Sequence, residues 1–85
     1  MDAISQIKSR IDYEAYYRAQ GLELHGSGAE RTARCPFHDD RRDSLGVNVE
    51  TGLYVCYACG ARGDVFTFHM ARYSVDFSRA KEELA

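Results

Sequence analysis

Apolar residues recur along this 85-residue chain with two different periods, and the switches between them outline its elements. Ile4, Ile7 and Ile11 stand three and four apart, the spacing of one helical face, so the chain opens on a short amphipathic helix. Asp12 is suited to cap a second helix through YEAYYRAQ, and Gly21 to end it. Tyr13, Tyr16 and Tyr17 fall on neighbouring faces of that helix and read as cover for a core. The stretch LELHGSGAERTAR holds a glycine-rich turn between two short extended pieces, a first hairpin. Beyond it the period drops to two. Leu45, Val47 and Val49 alternate with Ser44, Gly46 and Asn48, and Leu53, Val55 and Tyr57 alternate likewise across the turn ETG, making a second hairpin. Asp64 then caps a helix in DVFTFHMARY, and Asp76 a last one, FSRAKEELA. No repeat, low-complexity tract or linker interrupts the chain. It reads as a single α+β domain: a helical lead-in over residues 1–30, a small antiparallel sheet within 31–63 and C-terminal helices over 64–85.

Size changes the weight of these elements. A chain this short recovers a modest fraction of its surface on folding, so its core is marginal without help. Apolar residues make up 45%, with six Tyr and four Phe, which is globular composition rather than disorder. The longest apolar run falls far below the ~20 residues of a bilayer span. The start, MDAISQIKSR, lacks the basic-then-apolar pattern of a signal, so no membrane is expected. Three cysteines cannot pair off within one chain, which points to a reducing, cytoplasmic location. The net charge of −2 provides no global field to attract nucleic acid. Residues 1–30 carry three basic and five acidic groups, 31–63 five and four, and 64–85 three and four. Only the middle third is positive, so any contact with a polyanion must be local.

That middle third also carries the chemistry. Cys35-x-x-His38, then seventeen residues, then Cys56-x-x-Cys59, is a complete ligand set for one tetrahedral Zn²⁺. A two-residue gap lets a tight turn aim two side chains at a point about 2.0–2.3 Å away, the range of Zn–N and Zn–S bonds. Pro36 fixes φ inside the first turn, Gly60 gives freedom after the second, and the spacer is long enough for a hairpin to fold back and close the site. Cys56-x-x-Cys59 read as a redox pair needs a βαβ scaffold larger than this chain. Cys35 and His38 read as nucleophile and base sit too close in one turn, where metal binding suits them better. Four protein ligands leave no open position, so the zinc is structural. His25 and His69 lack partner spacing; they read as an exposed loop residue and an ordinary helix residue.

Structural zinc contributes an apparent ~10–16 kcal/mol in finger peptides, against ~3–5 kcal/mol net from a core of this size. Three thiolates around Zn²⁺ leave one net negative charge, which Arg34 and Arg62, each near a ligand, would offset. The arginines have a second reading. Arg31, Arg34, Arg41, Arg42 and Arg62 interleave with Phe37, Tyr54 and Tyr57 in and around the metal segment. Arginines for phosphates and aromatic rings for bases, at ~1–3 kcal/mol per stacked base, hold single strands. The acids Asp39, Asp40 and Asp43 break this patch, and a solvated charged loop reads DDRRD equally well. A protein-docking ribbon that uses the same aromatics stays open as well.

CPFH, the spacer, CYACG, then GDVFTFHM and a closing F-x-x-A-x-x-x-L-A resemble the N-terminal zinc-binding domain of bacterial (DnaG-like) DNA primases and their phage and plasmid relatives. The likeness runs from Arg34 to Ala85 and is looser before it. It implies a zinc ribbon over residues 31–63, an antiparallel sheet flanked by helices with zinc gripped at one edge. It also implies a module that engages single-stranded DNA template and presents it to a primase polymerase domain, in cis or in trans, with a replicative helicase as a further partner. Arg41 falls where the family commonly has lysine, which makes it the leading DNA-contact candidate. Two departures stand out. Arg42-Asp43-Ser44-Leu45 replaces a usual Thr-Pro-Ser-Phe, and Val55 and Tyr57 replace the His and Phe that often flank the third ligand.

Overall fold

A computed structural model describes residues 3–39 and 41–85. Asp40, one of the acids beside the arginines, lies outside the described residues. The elements follow in the order α1 (Ala3–Arg10), α2 (Tyr13–Ala19), β1 (Glu30–Ala33), β2 (Leu45–Asn48), β3 (Tyr54–Cys56), β4 (Arg62–Gly63), α3 (Val65–Tyr73) and α4 (Phe77–Leu84). The strands form one antiparallel sheet in sequence order. No helix among the described residues is long and apolar enough to cross a membrane.

The three aspartates cap as their positions require. The Asp12, Asp64 and Asp76 carboxylates accept from the amides of Ala15, Thr67 and Arg79, each satisfying a donor that the first helical turn leaves unpaired. Asp64 also receives Lys8 Nζ at 2.9 Å, which ties α1 to the start of α3. Burial works to raise the Asp64 carboxyl, but the Thr67 amide and the Lys8 ammonium outweigh it and hold the group below its ordinary value.

The first hairpin is reduced to a remnant. His25 and Thr32 exchange backbone hydrogen bonds of 2.8 and 3.0 Å, and no strand extends from His25. Leu22 and Leu24 are drawn into the core instead, and β1 pairs with β2. The fourth strand lies outside the periodic pattern, because two residues are too few to show a period. It pairs Arg62 with Val55 and Gly63 with Tyr54.

Register assigns the faces. Leu45, Val47, Tyr54 and Cys56 are buried on the inner face, beneath α2 and α3. Gly46 stands beside Val55, and Val55 beside Arg62, across the outer face. Val55 and its flanking neighbours Leu53 and Tyr57 therefore form an outer row along β3, and the core takes Tyr54 and Cys56 from between them. Phe68 of α3 occupies the centre of the core. Tyr17, Phe37, Tyr54 and Tyr16 meet it edge-on at ring separations of 4.9, 5.3, 5.3 and 6.1 Å.

The α2 tyrosines cover the core as their spacing suggests, and their hydroxyls tie elements together. Tyr17 donates to the Gly52 carbonyl at 2.6 Å, which anchors the β2–β3 turn. Tyr16 Oη lies 2.7 Å from His69 Nδ1, and His69 Nε2 lies 2.8 Å from a Glu83 oxygen. Both bonds are satisfied with the histidine proton on Nε2. His69 is thus no ordinary helix residue: it is buried and joins α2, α3 and α4 through its two ring nitrogens.

Gly52 has φ +79°, and a Cβ there would sit 2.5 Å from Tyr13 Cε1. Gly52→Ala should cost about 2 kcal/mol or more, from positive-φ strain and displacement of the Tyr13 ring. Urea unfolding of the zinc-loaded chain measures this; unchanged stability would mean that the Tyr13 packing is slack.

Candidate metal centre

Ala33, Leu45 and Cys56 stand side by side across β1, β2 and β3. The two ligand pairs therefore leave the sheet at the same end: Cys35 and His38 just after β1, Cys56 and Cys59 at the close of β3. Their four donor atoms all lie within 4.8 Å of one another. Bonds of about 2.0–2.3 Å to a tetrahedral zinc require donor separations of about 3.5–3.8 Å. Cys35 Sγ lies 3.9 Å from Cys59 Sγ, and His38 Nε2 lies 3.3 Å from Cys56 Sγ. The four residues fit one zinc with little adjustment. Bound there, the ion supplies a cross-link between two turns that no other covalent bond joins. Protein occupies every position, so substrate and water have no place on the metal.

The surroundings bias the thiols differently. Burial pushes the Cys35 thiol up, to about 12, and the neighbouring sulfurs add to this. Burial acts the same way on Cys56, but the amides of Cys59 and Ala58, together with His38, bring it down to about 6. The Cys59 amide lies 3.4 Å from Cys56 Sγ. Cys56 is therefore the ligand already ionised near neutral pH, while Cys35 gives up its proton to the metal. The redox reading finds no scaffold, since the sheet is wholly antiparallel and Cys56 ends a strand rather than preceding a helix.

The arginine and aromatic candidates separate. Tyr54 leaves the set of stacking platforms: it is 5% exposed and packed against Phe37 and Phe68. Tyr57, two-residue neighbour to Val55 on the outer row, is 82% exposed. Arg62 is exposed on the same face, and with Tyr57, Val55 and Gly46 it lines an open groove of about 570 Å³. Arg34 is exposed elsewhere, beside His25 and Asp43 in a separate hollow. Arg41 and Arg42 are exposed in the loop between His38 and β2. Arg31 is committed to Glu14 at 3.0 Å. Two groove residues were not among the contact candidates read from the sequence, Glu30 and Asn48, whose side chains bond across β1 and β2 at 2.8 Å. Their one sequence signal was position on the polar side of alternating strands.

One tightly bound zinc per chain is expected, and Cys59→Ser should weaken it severely. Elemental analysis reporting no zinc, or full affinity in that variant, contradicts the site. Because the ligands bind metal deprotonated, affinity falls as pH falls. Protons compete with the metal for thiolate and imidazole, so zinc should leave below about pH 5.

The model of the CHC2 zinc finger family, the zinc ribbon of DnaG, matches residues 1–85. The DNA primase of Helicobacter pylori strain J99 is 44% identical over 64 residues, 75% of this chain and 11% of that protein. The DNA primase of Lactococcus lactis is 33% identical over 84 residues, 99% of this chain and 13% of that protein. The chain thus spans little more than a tenth of the curated relatives it matches. A crystal structure of the Aquifex aeolicus primase, comprising zinc-binding and RNA polymerase domains, superposes with a TM-score of 0.83 at 27% identity, over 100% of this chain and 21% of that one. With its ligand spacing, antiparallel sheet and donor cluster, the chain belongs to the CHC2 zinc finger family, the zinc-binding domain of DnaG-type DNA primases.

Proposed function

We propose that this domain reads single-stranded DNA template for primer synthesis by a separate polymerase domain, in the cytoplasm, as part of DNA replication. The observation that carries this reading is the outer sheet face. An exposed ring, Tyr57, directly follows a metal ligand and shares a groove with the cation Arg62. Zinc fixes the end of β3, so the ring is presented from a rigid platform, which lowers the entropy lost on stacking a base. Arg41 and Arg42, exposed in the loop after His38, add phosphate partners near the metal end. Family membership supports the same role. The Aquifex primase pairs a zinc-binding domain with an RNA polymerase domain, and the polymerase partner inferred here is of that kind.

This reading assigns nucleotide joining to the polymerase domain. Among the described residues, the one group of three or more Cys, His, Asp or Glu placed to hold a metal is the zinc set. Two-metal phosphoryl transfer needs a carboxylate cluster. The purified 85-residue chain should therefore incorporate no ribonucleotides on a primed or unprimed template; template-dependent incorporation would overturn this.

Binding to single strands should be weak and salt-sensitive, with a slope of about −0.7 per neutralised phosphate. Arg41→Ala and Arg62→Ala should each lower affinity for an oligodeoxynucleotide while zinc content and unfolding midpoint stay unchanged. Tyr57→Ala should lower it by about 1–3 kcal/mol, the worth of one stacked base. If the double arginine variant binds like the parent at low salt, the arginines only balance local charge. The outer face is then a protein-docking surface.

A further inference from the structure

The outer groove is polarised, and its far end is acidic. Asn48 Oδ1 accepts from the amides of Glu50 and Thr51 at 2.9 and 3.0 Å, and its Nδ2 donates to Glu30 Oε1 at 2.8 Å. Asn48 is thereby spent on internal bonds and pins the Glu30 carboxylate at the groove. A carboxylate offers about four acceptor sites, and this bond occupies one. Arg62 stands at the other end, on β4. Three strand spacings of about 4.8 Å separate β1 from β4, and Glu30 pairs with Asn48, two residues along from the row of Gly46, Val55 and Arg62, so the two residues lie about 16 Å apart diagonally across the face. Between them Gly46 leaves the floor open. A Cβ there would lie 3.5 Å from Tyr57 Cε2 and 3.8 Å from Val55 Cγ1, ordinary contact that strains nothing but fills the space beside the ring.

We propose that the Glu30 end of this groove is a base-edge subsite that selects nucleobases bearing an exocyclic amine, cytosine over thymine. The inference rests on the single-strand reading above and adds direction and selectivity to it. A phosphate is repelled by Glu30 and attracted by Arg62, so the strand lies with its backbone toward β4 and its bases toward β1. A base stacked beside Tyr57 over Gly46 then presents its edge to a carboxylate that only accepts. Cytosine meets it with the N4 amine, adenine with N6, and guanine with N1–H and its N2 amine. Thymine meets it with carbonyl oxygens on either side of N3–H, and their lone pairs oppose the carboxylate.

The matched pair of pyrimidines isolates this contact, because the two bases stack alike and differ at the edge. The zinc-loaded chain, titrated at low salt and pH 7.5 with fluorescent oligo(dC) and oligo(dT) of equal length, should prefer dC on the order of fivefold, the lower end for a base-edge contact. Glu30→Ala should tighten oligo(dT), since the charge opposing its carbonyls is gone, give oligo(dC) no such gain because its amine contact is lost, and bring the dC:dT ratio to about one. Gly46→Thr should weaken both strands alike by filling the floor. Zinc content and the unfolding midpoint verify that each variant is folded. Equal binding of dC and dT by the parent chain, a ratio unmoved by Glu30→Ala, or unchanged binding by Gly46→Thr overturns the inference and leaves the single-strand reading standing. Failure of the parent to bind either strand removes the single-strand reading, and this inference with it.

Discussion

Convergence of Cys35, His38, Cys56 and Cys59 on one point is the constraint from which the other features of this fold take their positions. A chain of 85 residues folds around a single layer of rings centred on Phe68, and the apolar surface it buries leaves little margin. A metal cross-link adds free energy of binding directly to folding. It does so where the core is weakest, in the turns that follow β1 and β3. Because Ala33, Leu45 and Cys56 are aligned across three strands, closing the metal site also locks the register of the sheet. A slip of one residue in β3 would turn Cys56 away from the site and expose Tyr54 to water.

The two faces of the sheet are then assigned without further choice. Cys56 must face inward to reach Cys35 and His38, and the period of two carries Tyr54 inward with it and Tyr57 outward. Helices α2 and α3 cover the inner face, and their tyrosines fasten the far turn through Tyr17 and Gly52. Among the described residues no helix lines the outer groove, where Leu53, Val55 and Tyr57 stand in a row. An apolar row left exposed beside a rigid metal turn suits a binding surface better than a core that failed to close.

The metal site was fully legible in the sequence, since a ligand pair in a tight turn is local and its spacing is its geometry. The three capped helices were legible for the same reason, each cap acting within three residues. What stayed hidden was long-range. His69 acquires its role from Tyr16 and Glu83, 53 and 14 residues away, and no local pattern announces such partners. The first hairpin yielded because Leu22 and Leu24 gain more in the core than a strand at a sheet edge would return. The misplacement of Tyr54 is more instructive. LYVCY is apolar at every position, so hydrophobic alternation alone cannot set its phase. The metal ligand does set it, since Cys56 fixes which neighbours share its face.

The same reasoning bears on how tightly a surface like this should hold a nucleic acid. The chain carries a net charge of −2, and the groove itself holds one carboxylate and one guanidinium. Long-range attraction is therefore absent, and the affinity available comes from one ring and a few local cations. For a reader tethered to a polymerase, as proposed above, that is a workable arrangement. A tether supplies an effective concentration up to the millimolar range, so a weak site is occupied once its neighbour holds the template. A strongly basic face would bind any strand and add little discrimination. On the proposed reading, replacing long-range charge with a pinned carboxylate, an open glycine floor and one rigid ring would trade affinity for choice among bases, and a tethered module can sustain that trade.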